Sequence, residues 1–402
     1  MTKKSKKNKC RLCKSKNLEE VYTFKKTPIG DDYRKTITEH NFFELKVNFC
    51  KKCNFVQLSN VLNPDKIYGE YLYVTNTSVG LISHFNNLIK ELFKKKILNS
   101  LSQVLEIGSN DGSLLKILKK KCYFVLGVDP AVHLTSNMDF VTMKGLYDNK
   151  LSKKIKNKFN QFDVVIANNV IANIDNLDTV FRGVYNNLVN NGYFVMETFS
   201  LSKLLNKNLI DNIYHEHISY FTIETISNFS KKFGLQLVDG SFETVKGGSL
   251  RLIFKKQKKI SFNKNVKKLI NIEKKNIDIK KDFKKLRKIN NENKKKIINY
   301  LDKNKLKKVI GFGASVGTTT IIYDFELIDR ISHIFDNESK RNNMYLPGTS
   351  IRVKTPKKIS KDKVVLVFAW RYFKNIIRIN KNIFPKGTTF IIPLPRFRIL
   401  KI

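Results

Sequence analysis

Arginine is the first scarcity of this 402-residue chain. Of its 76 basic residues only 12 are Arg, against 34 acidic residues, for a formal charge of +42. Nucleic-acid readers lean on the forked Arg guanidinium to clamp phosphate and read guanine. So much Lys with so little Arg points to a lysine-biased composition, and no specific nucleic-acid partner is expected. No apolar run reaches the ~18 residues of a membrane-spanning helix, so no membrane association is expected. The basic start, Met1 to Lys9, is followed by no apolar stretch, so a secretory signal is not expected and a cytoplasmic, monomeric protein is. Only five cysteines occur. Without a secretory signal they do not read as a disulfide framework. Cys122, inside Cys-Tyr-Phe-Val-Leu, reads as a small buried hydrophobe.

What is present is enough apolar residue, 42%, to bury real cores, over a length that suits two to four domains of ~100–200 residues. Residues 1–60 carry four cysteines among short strand-like runs. Residues 79–256 alternate apolar strand-like runs with helical patterns, as a parallel α/β sheet does. Residues 257–308 are rich in Lys and Asn with apolar residues at helical spacing (Val266, Leu269, Ile270, Ile277, Phe283, Leu286), a solvated helix or helix pair that holds a local charge of +17 within 255–308. Residues 309–402 open another strand–glycine–helix unit. The expected division is therefore 1–78, 79–256 and 257–402.

Cys10-Arg-Leu-Cys13 and Cys50-Lys-Lys-Cys53 have the spacing of two zinc knuckles. Four thiolates at ~2.3 Å from the ion would leave no place for water, so the metal is read as structural Zn2+. Two unrelated reduced pairs, or a redox pair, are the alternatives; no thioredoxin-like βαβ context supports the latter.

Gln103-Val-Leu-Glu-Ile-Gly-Ser-Asn-Asp-Gly112 is a buried strand running into a glycine-bearing loop, and a helix starts at Ser113. Gly108 and Gly112 allow the backbone to approach a ligand at the carboxyl edge of a sheet. A second strand ends in Asp129, placed to accept hydrogen bonds from ribose hydroxyls, and a third ends at Asn168-Asn169. Glu106, Gly108, Asn110, Gly112, Asp129, Asn168 and Asn169 form the candidate cofactor set. With the Asn-Gly turn before a late strand, this is the pattern of class I methyltransferases, and S-adenosyl-L-methionine is the cofactor it implies. Another nucleotide-binding α/β fold is the alternative, and Glu106 could instead cap a neighbouring turn.

Two of the six His lie in Tyr214-His215-Glu216-His217, followed at once by Tyr220-Phe221. A histidine titrates near neutrality, and a carboxylate beside it can fix its tautomer and stabilise its charged form. A general base is one reading; a structural pair in a polar turn and a His–Glu–His metal site are the others.

Taken in order, the four cysteines, Glu106-Ile-Gly-Ser-Asn-Asp-Gly112, Ala167-Asn-Asn-Val170, Tyr214-His-Glu-His217-Ile-Ser-Tyr-Phe221, Gly247-Gly-Ser-Leu-Arg251, Tyr345-Leu-Pro-Gly-Thr349 and Phe368-Ala-Trp370 resemble the sugar C-methyltransferases of deoxysugar pathways. The likeness runs over nearly the whole chain. It implies an α/β fold with an N-terminal zinc-binding module, a central class I Rossmann-like methyltransferase domain and a second C-terminal α/β domain that helps enclose a nucleotide-linked keto-sugar. It also implies methylation of carbon 3 of a 4-keto-6-deoxy sugar, with His217 removing the proton beside the ketone and Glu216 and Tyr214 supporting it. A tyrosine of the segment before the cofactor domain joins them, Tyr73 first, with Tyr71 and Tyr68 as alternatives. Three positions depart from the family pattern: Asn173 and Lys246 each stand where a His is common, and the loop that leads into Val316 lacks a lysine. A zinc-bearing RNA methyltransferase is the rival reading, but neither an Asn-Pro-Pro-Tyr motif nor a catalytic cysteine pair is present.

Overall fold

The computed structural model describes residues 5–6, 8–64, 67, 74–78, 80–135, 138–257, 264–360 and 363–402. Near the N-terminus three short strands, β1 (Leu18–Thr23), β2 (Lys46–Cys50) and β3 (Val56–Leu58), form an antiparallel meander. Its inner face buries Tyr22, Val47, Phe49, Phe55 and Val56. So small a core is marginal by itself, and a metal clip is a usual remedy.

After helix α1 (Leu81–Lys94) comes a sheet whose strands are β4 (Gln103–Ile107), β5 (Phe124–Asp129), β6 (Val141–Lys144), β7 (Phe162–Asn168) and β8 (Leu188–Phe199). Helices α2 (Ser113–Lys119), α3 (Asn149–Phe159) and α4 (Leu177–Asn187) intervene. Beyond α5 (Leu201–Asn206) the short β9 (Ser219–Tyr220) leaves this sheet, and α6 (Ile223–Lys231), β10 (Leu235–Glu243) and β11 (Ser249–Lys256) complete it. The order is β10-β11-β8-β7-β4-β5-β6, with β11 alone running antiparallel to its neighbours. Central strands read as unbroken apolar runs because helices cover both faces: Val104, Leu105, Val164, Val165, Ile166 and Val195 are all fully buried. This is the Rossmann-like α/β sheet expected for 79–256.

The lysine-rich stretch forms two helices, α7 (Lys264–Lys275) and α8 (Ile279–Lys303). The expected solvated connector is corrected here. While its lysines face water, α8 buries Phe283, Leu286, Asn290, Asn293, Ile297 and Leu301. Phe283 packs its ring 6.3 Å from that of Tyr22, and Arg287 donates to the Val21 carbonyl of β1 at 3.1 Å. Further along the same buried stripe Asn290 accepts from Asn208 at 3.0 Å, and Asn293 donates to the Pro395 carbonyl at 3.2 Å. The helix is thus a strut on which all three units rest.

The last unit has strands β12 (Val309–Phe312), β13 (Ile331–Phe335), β14 (Arg352–Lys354), β15 (Val364–Val367), β16 (Thr389–Ile392) and β17 (Arg398–Lys401) in the order β14-β13-β12-β15-β16-β17. All pairings but the last are parallel. The strand order reverses between β12 and β15, and such a switch point opens a crevice at the carboxyl ends of those strands. Helix α9 (Val316–Asp324) follows β12.

Candidate active site

The four cysteines converge as expected. Their Sγ atoms all lie within 4.8 Å of one another, with Cys10–Cys53 and Cys13–Cys50 at 3.5 Å. A tetrahedral Zn–S4 site with ~2.3 Å bonds has edges of about 3.8 Å, so the donor set and spacing fit zinc. Both knuckles repeat one local geometry. In the first, Lys14 N–H donates to the Cys10 carbonyl at 2.9 Å with Lys14 at φ 61°; in the second, Asn54 N–H donates to Cys50 at 2.9 Å with Asn54 at φ 60°.

At the carboxyl edge of the central sheet, the loop 108–112 turns through left-handed residues at Gly108 (φ 76°), Asn110 (φ 47°) and Gly112 (φ 71°). A Cβ at Gly112 would lie 2.3 Å from the Phe140 ring, and one at Gly108 would lie 2.9 Å from Val170. Asp129 accepts from Asn110 N–H at 2.9 Å and from Ala131 N–H at 2.8 Å, so the acid also pins the loop. The Asn110 side chain turns away to hold Thr75, accepting from both its N–H and its hydroxyl at 3.0 Å. Asn169, at φ 55°, donates its N–H to the Glu197 carbonyl at 2.7 Å. Orphaned polar atoms surround this edge: Glu106 Oε2, Ser109 Oγ and both amide atoms of Asn168 are buried without a hydrogen-bond partner. Burial, then the nearby Asp129 and Asp111, pushes the Glu106 carboxyl well above the usual range. Such a ring of unsatisfied groups suits a polar ligand such as S-adenosylmethionine.

The Tyr-His-Glu-His segment is a turn, not a strand, closed by His217 N–H to the Tyr214 carbonyl at 3.0 Å. The two histidines therefore diverge. His215 lies 3.1 Å from Thr27 Oγ1 and stands edge-on to Phe43. His217 Nδ1 is 2.8 Å from the Asn212 carbonyl, and its Nε2 is 2.8 Å from the Tyr214 hydroxyl. A carbonyl only accepts, so Nδ1 carries the hydrogen and Nε2 presents its lone pair to the phenol. Phe199 and Tyr214 flank the ring at 4.4 and 4.0 Å. Burial, and then the charge of Lys246, drives this imidazole down to about 3. Among the described residues the four cysteines are the group placed to hold a metal, and the diverging histidines do not form one.

Glu216 corrects an expectation. The Asn212 carbonyl, not this carboxylate, sets the His217 tautomer, and neither Glu216 oxygen has a hydrogen-bond partner. Burial, then Asp31, pushes its carboxyl up to about 8. Between the unfolded value near ~4.3 and about 8, the folded chain holds the extra proton, so this group's contribution to stability falls as pH rises through that window. Glu216→Gln keeps the neutral shape and is expected to add roughly 3 kcal/mol at pH 7 and little near pH 4. Urea unfolding across that range measures it; an equal gain at every pH would mean that the carboxyl is not held protonated.

Two residues without an expected role tie the C-terminal unit to this turn. Directly after β15, Trp370 and Arg371 donate to Asp211 at 3.1 and 2.8 Å, and Arg371 reaches Asn212 Oδ1 at 3.5 Å. A cleft of about 950 Å³ opens beside them, walled by Lys207, Lys246, Lys285, Arg371, Arg396 and Arg398 among others. On its far wall His84 bonds Glu197 at 2.7 Å, and Glu197 is held by the buried Arg251. No motif spacing links His84 to Glu197; only the fold brings them together. Of the departures, Val316 packs against Gly30, Asn173 leaves its Oδ1 orphaned, and Lys246 takes φ 51° on the cleft wall. Tyr73, Tyr71 and Tyr68 lie outside the described residues.

Comparison with known proteins follows the same three units. Residues 10–68 match a family model described as "Putative zinc binding domain", 82–239 a "Methyltransferase domain" and 244–395 a "C-methyltransferase C-terminal domain". The C-methyltransferase NovU of Streptomyces niveus is similar at 25% identity over 408 residues, covering 98% of this chain and 97% of that protein. Among solved structures, an S-adenosylmethionine dependent methyltransferase from Mesorhizobium loti is similar at 12% identity and TM-score 0.31, over 40% of this chain and 94% of that one. Magnesium protoporphyrin IX methyltransferase from Synechocystis PCC 6803, solved with bound SAH, is similar at 14% identity and TM-score 0.32, over 44% and 84%.

Proposed function

This chain belongs to the C-methyltransferases, with S-adenosylmethionine and zinc as its cofactors, and on that premise we propose that it methylates the carbon beside the ketone of a nucleotide-linked keto-deoxysugar. The observation that carries this reading is the cleft. Its wall takes in Trp370 and Arg371, which follow β15 at the switch point of the C-terminal sheet, and Arg371 also holds Asp211, six residues before His217; a bound diphosphate would meet its Lys and Arg side chains. Its size matches pockets that enclose a ligand of several rings.

Carbon attacks poorly until an adjacent ketone lets it become an enolate carbon. His217 Nε2 takes the proton, and the Nδ1–H bond to Asn212 keeps that lone pair available and steadies the imidazolium that results. With a substrate C–H at Nε2, the Tyr214 hydroxyl is released to donate to the developing oxyanion, a contact of the kind that usually contributes most to such a step. S-adenosylmethionine, when bound, would supply an electrophilic sulfonium methyl to the enolate carbon and leave as the thioether; Glu106, Gly108, Gly112, Asp129 and Asn168 are the residues that would hold it. The His217 imidazolium returns its proton to solvent. Glu216, buried within the turn, keeps its neutral form.

The test is a panel of nucleoside-diphosphate-linked 4-keto-6-deoxy sugars incubated with the zinc-loaded chain and S-adenosylmethionine. One member is expected to gain the mass of one methyl group. A chain that binds the donor yet modifies none of them, or that methylates RNA instead, refutes the sugar assignment.

A further inference from the structure

The sheet of the zinc unit does not end within that unit. β9 begins two residues after His217 and adds itself to β3, pairing Ser219 with Gln57 and Tyr220 with Val56. Leu58 N–H donates to the Ile218 carbonyl at 3.0 Å, and Ile218 N–H donates to the Ala172 carbonyl at 2.9 Å. On its other side β3 pairs with β2, whose last residue is the zinc ligand Cys50. An unbroken hydrogen-bonded path therefore runs from the metal ligands to the turn that holds His217.

Arg11, between two ligands of the first knuckle and only 4% exposed, closes that path. Its N–H donates to Gln57 Oε1 at 2.8 Å, its Nη1 to the Leu58 carbonyl at 2.9 Å and its Nε to Asp175 Oδ1 at 3.1 Å. One guanidinium thus grips the strand that carries β9 and the loop after β7 that receives Ile218. Burying a guanidinium is costly unless its donors are used in a fixed geometry; here Nη1 and Nε bind the strand and the loop, while Nη2 is buried without a hydrogen-bond partner.

We propose that Arg11 is a positioning residue for His217, coupling the zinc knuckle to the proton-abstracting turn through the β3–β9 pairing. Loss of zinc or of Arg11 then slackens the turn and leaves the donor site standing, because loop 108–112 is held by its own sheet through Gly108 N–H to Val128 and Asn110 N–H to Asp129. This inference rests on the reading of His217 as the base.

The experiment uses the full zinc-loaded chain carrying Arg11→Met. Expected are about one zinc per chain, unchanged S-adenosylmethionine affinity and a kcat lowered by about 10–100-fold, the scale of a misplaced catalytic group. Amide hydrogen exchange should rise in peptides spanning 214–222 and stay constant in 103–129. Arg11→Lys, which keeps the charge but loses the planar fork that meets Leu58 and Asp175, should recover part of kcat. Chelation of wild-type zinc should loosen the same peptides first. An unchanged kcat, or exchange that rises evenly over the whole chain, overturns the proposal. If Arg11→Met does not fold, Gln57→Leu removes one acceptor of the path without burying a new charge and carries the same readouts. The amide readout does not depend on which group is the base. Local loosening together with an active His217→Asn would sink the base assignment alone; a dead His217→Asn without loosening would sink the coupling alone.

Discussion

His217→Asn is expected to abolish methyl transfer while S-adenosylmethionine still binds. An asparagine amide can keep the donation to the Asn212 carbonyl that Nδ1 makes at 2.8 Å, so the turn should hold its shape. It has no basic nitrogen to take the place of Nε2. A positioned general base contributes ~10²–10⁴-fold, and the loss should approach the upper figure because carbon acids are weak. With the cofactor product in place of the methyl donor, the proton beside the ketone should also stop exchanging with deuterium from buffer. If exchange continues while methylation stops, Tyr214, 2.8 Å from Nε2, is the next base. If both activities survive, His217 is structural. The depressed imidazole value of about 3 has its own consequence. Lys246 contributes to that depression, so a diphosphate bound at Lys246 would cancel part of it and raise the basicity of His217 only when substrate is present.

Gly108→Val is expected to remove S-adenosylmethionine binding altogether. Position 108 sits at φ 76°, a region β-branched residues avoid, and even its Cβ would approach Val170 Cβ and Cγ2 to 2.9 Å. The loop has to move, and the space it can move into is the edge where the buried orphans Glu106, Ser109 and Asn168 await a ligand. Titration calorimetry should show no heat of binding, with zinc content and far-UV circular dichroism retained. Asp129→Ala is expected to be milder, roughly 1–3 kcal/mol, since it removes one acceptor and loosens the Asn110 and Ala131 amides. Unchanged affinity in both variants would place the cofactor elsewhere.

Much of the site could be read directly from local sequence. Cys-x-x-Cys pairs and a glycine loop between a strand and a helix encode their geometry within a few residues, because knuckle and turn are closed by near-neighbour hydrogen bonds. For the same reason the buried runs around 104–107 and 164–167 predicted a parallel sheet. The lysine-rich stretch was harder to interpret. Its composition is that of a solvated helix, yet Phe283, Leu286, Ile297 and Leu301 lie on one stripe, and a stripe does not reveal what covers it.

Sequence alone singled out the candidate groups: four thiolates, a backbone loop open to a ligand, and a histidine among aromatic neighbours. These depend on residue type and short spacing. Tertiary structure alone decided what each group faces. Glu216 adjoins His217 in the chain, yet the turn sends it into a buried site without a partner, and a carbonyl five residues upstream of His217 sets the imidazole instead. Arg11 and Asp175 lie 164 positions apart, Arg371 and Asp211 160 apart, and His84 and Glu197 113 apart. No local pattern encodes such pairs. They arise where packing buries charge, between units for the first two pairs and within the central unit for the third, and a buried charge must find a partner wherever the packing brings one.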